Sequence, residues 1–176
     1  GMGWDAQILD EYTYVKQAVP GLIGYLIATA KHFGKVNEKS PITLEFNVED
    51  VEKVSFERGN KEPIISEAGE NLEKLVKEGV CVASVGTVQD FGMGFKAFPY
   101  SQLAVQRNKM QLRIVHGSPK SAAASLARHS RKLFKGEYRG NHVTDFFVPA
   151  VKISTDSTKG DVAQIAGDKI RDVTSL

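Results

Sequence analysis

Two periods alternate along this chain. From Trp4 to Val19 the apolar residues Ile8, Leu9, Tyr12 and Val15 recur close to every 3.6 positions, which predicts a helix. Pro20-Gly21 interrupts it, because proline lacks the N–H that continues a helical ladder. A second helix is expected from Leu22 to Phe33, stopped by Gly34. The period then changes to two. Ile42, Leu44, Phe46 and Val48 alternate with Thr43, Glu45 and Asn47, the pattern of a strand with one wet face. Val51 to Phe56 reads as its hairpin partner or continuation. Ser66 is placed to cap a helix carrying Ala68, Leu72, Leu75 and Val76, closed by Gly79.

Val80 to Val88 is apolar or small on both faces and predicts a buried central strand. Gln102–Gln106 and Met110–Val115 alternate again, with a turn at Asn108-Lys109 between them. Met110, Leu112 and Ile114 are expected to face inward, with Gln111 and Arg113 in solvent. A helix is expected from Ser118-Pro119 to about Lys135. Val143 to Ser154 reads as a strand, at an edge or bulged because of Pro149. Asp161 to Val173 reads as a short helix or frayed end. The fold class that follows is α+β: a single domain over residues 2–176, with a mostly antiparallel sheet and helices packed on one face. Its parts are a helical segment over 4–34, the sheet and helices over 42–154, and a C-terminal tail over 155–176.

Composition agrees with a folded domain. The chain has 176 residues, 41% hydrophobic and 25% charged, enough to bury a core without disulfides. Its one cysteine, Cys81, cannot form an internal disulfide, which suits a reducing compartment and gives a cytoplasmic expectation. No signal-peptide pattern opens the sequence. The longest apolar run, Val19 to Ala30, falls short of the roughly 20 residues a membrane span needs.

Charge distribution adds more than net charge, which is only +2. Residues 101–142 hold nine Lys and Arg against one acid, Glu137, while residues 1–100 are net acidic. On a helical wheel, Ala122, Ala123, Leu126, Leu133 and Phe134 share one arc. Lys120, Arg128, Arg131, Lys132 and Lys135 share the opposite arc, and Arg139 could extend the row. Exposed helices normally mix signs, because like charges one turn apart repel by about 0.2–0.5 kcal/mol per pair. This one has no acid from Lys120 to Lys135. It therefore points either to an anionic partner (nucleic acid, a phosphate ligand or an acidic protein surface) or to a face neutralised by this chain's own acidic segments. The acidic protein surface could belong to a second copy of the chain, since residues 45–78 are rich in Glu, and the result would be a homo-oligomer.

At the entrance of this helix, Gly117-Ser118-Pro119-Lys120 is a candidate anion cradle. Free N–H groups of the first turn, the helix dipole, the Ser118 hydroxyl and Lys120 would converge there. Plain helix capping by Ser118 accounts for the same residues.

Other candidates have ordinary readings beside the functional one. Cys81, with no histidine nearby in sequence, reads as a core thiol more readily than a nucleophile. His116, His142 and Asp145 would form a catalytic cluster only if their strands bring them together. His129 lies at the edge of the apolar arc. Asp90-Phe91-Gly92 has no kinase companions. The aromatics of Gln89–Tyr100 suit either the core or stacking on bases. Gly21-Leu22-Ile23-Gly24 has the spacing of a nucleic-acid-binding loop but an apolar middle pair. No cofactor or metal site is expected, and a small enzyme using His116 or Cys81 stands as a third function class.

Overall fold

The computed structural model describes residues 2–20, 24, 27, 28, 31, 42–57, 60–68, 79–90, 94–155, 161–165 and 168–173. In chain order the elements are β1 (Met2–Gly3), α1 (Trp4–Val15), β2 (Ile42–Glu45), β3 (Glu52–Ser55), β4 (Ile64–Glu67) and β5 (Val80–Gly86). They continue with α2 (Ser101–Gln106), β6 (Met110–His116), α3 (Pro119–Arg128), α4 (Ser130–Phe134), β7 (Val143–Val148), β8 (Lys152–Thr155), β9 (Asp161–Ile165) and β10 (Asp168–Val173).

Eight strands form one sheet in the order β10-β9-β1-β5-β6-β7-β3-β4, and every described pairing in it is antiparallel. The α+β class and the mostly antiparallel sheet are therefore as the alternating pattern predicts. The strands β5, β6 and β7 are interior and covered on both faces. Leu112, Ile114, Phe146 and Val148 point to one side, where Ile42, Leu44 and Ile153 from the β2–β8 pair pack on them. Val115 points to the other side, toward Ile8 of α1 and Ala122, Ala123 and Leu126 of α3. Phe147 and Val54 meet Tyr100 and Ala104 of α2 on that same side. Helices thus cover one face and a two-stranded sheet covers the other.

Several local expectations change. Ile42–Glu45 does not pair with Val51–Phe56. A 3-10 turn at Val48–Asp50, held by Asn47 Nδ2 donating to Asp50 Oδ2 at 3.0 Å, sends the chain from the small sheet to the large one. The partner of Ile42–Glu45 is instead β8, over a hundred residues on. Ser66 is not a helix cap: it sits in β4 opposite Lys53, and residues 69–78 lie outside the described ones. Gln102–Gln106 is helical, not a strand. Asn108, at φ 56°, makes the predicted turn between α2 and β6.

Val143–Ser154 is two strands. Pro149 follows the end of an interior strand, and β8 leaves for the other sheet. The tail is not helical; β9 pairs with β1 and β10, extending the large sheet. Of the expected helix over 22–33, residues 24, 27, 28 and 31 are described, and these are helical. His32 and most of the 21–24 loop lie outside the described residues. Among the described residues no helix is long and apolar enough to cross a membrane.

Candidate functional site

The nine cations of residues 101–142 fall into two groups. Four are engaged. Arg107 and Lys109 pair with Glu52 at 3.0 and 3.4 Å. Arg139 lies 3.7 Å over the Phe56 ring and donates to the Asn60 and Lys61 carbonyls, so it does not extend the helical row. Arg113 is buried, not in solvent. Its Nε donates to Asp145 Oδ1 at 2.8 Å and a terminal nitrogen donates to Oδ2 at 2.9 Å.

Gln111, fully buried beside it, donates from Nε2 to Asp145 Oδ1 at 2.7 Å and accepts the Tyr100 N–H at 2.8 Å. Burial opposes the charge on Arg113, but the attraction and hydrogen bonds of Asp145 outweigh it and raise the guanidinium pKa. This network ties the entry of α2 to the centre of the sheet. Periodicity alone hides it, because polar residues at alternate positions imply a wet face. Here α2 and its entry loop cover that face.

The other five cations are Lys120, Arg128, Arg131, Lys132 and Lys135. All are exposed, and none has an ion pair among the described residues. They are the five of the predicted row. The helix that carries them is not continuous, however. It breaks at His129, whose φ of −109° and ψ of 22° separate α3 from α4. The cause is local. His129 Nδ1 lies 2.9 Å from the Ser125 carbonyl, which the His129 N–H also reaches at 3.1 Å. A side chain entering the ladder in this way kinks a helix. The His129 ring also packs on Tyr138, whose hydroxyl meets Ser125 Oγ at 2.8 Å. Phe134, expected on the apolar arc, is exposed, while Ala122, Ala123 and Leu126 are buried.

Ser118 holds the predicted N-cap position with Pro119 at the first turn. Its hydroxyl makes no capping bond and is exposed, and its backbone carbonyl accepts the Ala122 N–H at 2.9 Å. Gly117, at φ +93°, makes the turn from β6. The His142 ring lies where a β-carbon on Gly117 would point.

The histidines do not form the predicted cluster. Cross-strand register puts Asp145 opposite Arg113, on the helix-covered face. His116, three residues beyond Arg113, alternates to the other face and meets Thr144 Oγ1 at 3.0 Å. His142 turns instead to the His116 carbonyl through Nδ1 at 3.2 Å and to Ser121 Oγ through Nε2 at 3.0 Å. A carbonyl can only accept, so Nδ1 carries the proton in the neutral ring and Ser121 donates to Nε2. Cys81 is buried against α1 and α3, with Sγ 3.6 Å from the Gly117 carbonyl. Among the described residues no group of three His, Cys, Asp or Glu side chains could hold a metal. Of the aromatics before α2, Phe98 and Tyr100 join the core, Phe95 stacks on Phe134, and Phe91 lies outside the described residues.

No protein-family model matches the chain, and no curated protein matches its sequence.

Proposed function

We propose that this protein is a binding module for a phosphate-bearing, polyanionic partner, using Lys120, Arg128, Arg131, Lys132 and Lys135, with Ser118 at the entrance of α3. One observation carries the reading. Four cations of the basic segment are matched within the fold, and the remaining five are exposed on α3, on α4 and at its C-terminal end, with no ion pair among the described residues. Self-neutralisation would place Glu or Asp side chains beside them. A row of like charges left unrelieved is mildly destabilising, and an external anion relieves it.

The test is isothermal titration with inorganic polyphosphate at low salt. Arg128→Glu, Arg131→Glu and Lys132→Glu together should weaken binding about a hundredfold or more, since each cation near an anionic surface contributes about 1 kcal/mol. Unchanged affinity in the triple variant would overturn the proposal. So would a stable oligomer that ignores polyphosphate, which would indicate docking on the acidic surface of a neighbouring copy.

A further inference from the structure

We infer that the polyanion is a single-stranded nucleic acid, whose bases stack on Phe134 while its phosphates lie along the surrounding cations. This inference rests on the polyanion reading above and specifies its partner. Phe134 is 36% exposed and sits in the basic segment. Arg131 lies one turn before it and Lys135 follows it.

The ring is also fixed rather than dangling. One face stacks on Phe95, with centroids 5.7 Å apart and planes inclined by 25°. The Phe134 carbonyl accepts the Lys96 N–H at 3.0 Å. Just beyond, the helix end is closed by Gly136 donating to the Leu133 carbonyl at 3.0 Å and Glu137 donating to the Lys132 carbonyl at 2.8 Å. Gly136 has φ +71° and sits against Lys96 and Pro99, where a β-carbon would crowd both. An immobilised aromatic ring loses little entropy when a second ring settles on it.

The combination of a stacked, exposed ring and cations with no ion pair among the described residues selects among polyanions. Inorganic polyphosphate and lipid headgroups offer charge but no π face. A duplex keeps its base faces stacked on each other. An unpaired strand presents both phosphates and free base faces. Stacking of this kind tolerates any base, so the expected recognition is of strandedness more than of sequence.

Fluorescence anisotropy with short labelled oligothymidylate and oligouridylate tests this, with the matching duplexes and polyphosphate as competitors. Phe134→Ala and Phe134→Leu should weaken single-strand binding about tenfold, and Phe134→Tyr should retain it. Polyphosphate affinity should not change in any of them. The leucine variant keeps apolar bulk, so a loss there reports the aromatic face rather than the fold. Equal affinity for duplex and single strand, or wild-type binding by Phe134→Leu, would overturn this inference while leaving polyphosphate binding intact. No binding of any polyanion by the wild-type protein would overturn the underlying proposal as well.

Discussion

The Tyr100 ring packs with Phe56, Val54 and Phe147, and its buried hydroxyl lies near Arg139 without a well-formed hydrogen bond. Burial pushes its pKa above the ordinary 10.0, against the pull of Arg139 nearby. The folded state therefore holds the proton more tightly than the unfolded chain does. The stabilisation this brings is complete below pH 10 and is lost as pH rises toward the folded-state value. Tyr100→Phe removes a buried hydroxyl that lacks a well-formed hydrogen bond, so its unfolding free energy at neutral pH should equal the wild type's or exceed it by about 1 kcal/mol. Its stability should also decline less above pH 10, as urea titrations across that range would report.

Substitution of Asp145 is destabilising, unlike that of Tyr100. Asp145→Ala strands the Arg113 guanidinium and a Gln111 donor inside the protein and should cost about 3–5 kcal/mol. Asp145→Leu with Arg113→Met should cost far less than that single change, measured by denaturant unfolding. Neither role is legible in sequence. Alternation marks Gln111 and Arg113 as solvent-facing, and only the cross-strand register with β7 and the position of α2 reveal a covered face.

Among the elements, the longest and most regular were the most legible. Trp4–Val15, Met110–His116 and the start of α3 at Ser118-Pro119 follow directly from period and capping chemistry. Some short segments were not. Ser101–Gln106 spans too few residues for period two and period 3.6 to separate. The strands β9 and β10 owe their conformation to β1 at the far end of the chain, a partner no local pattern specifies. The His129 break was equally hidden, because it arises from one ring bonding to one carbonyl.

That break gives α4 its own N-terminus, with Arg131 in its first turn and Lys135 one turn later. Arg131→Glu places an acid near the positive end of the helix dipole and four residues before Lys135. It should raise the melting temperature by about 1 °C while weakening polyanion binding. Scanning calorimetry beside a binding titration checks both. A gain in stability with loss of binding is the mark of charges kept for a partner rather than for the fold.

At the scale of the whole molecule, the large sheet and its two coverings bury Gln111, Arg113 and Asp145 as a bonded network, while the cations of α3 and α4 have no ion pair among the described residues. Charge asymmetry along the sequence marks the basic segment, but it does not separate the five cations that lack an ion pair among the described residues from Arg107, Lys109, Arg113 and Arg139. That distinction needed Glu52, Asp145 and Phe56, which come from distant segments. The central claim is that these five side chains neutralise phosphates. The most direct measurement is the slope of log affinity for oligothymidylate against log salt concentration. Five contacts to a single strand predict a slope of roughly −3.5, falling in size by about 0.7 with each of Lys120, Lys132 and Lys135 changed to Met. Binding that is indifferent to salt, or a slope that these substitutions leave unmoved, would contradict it.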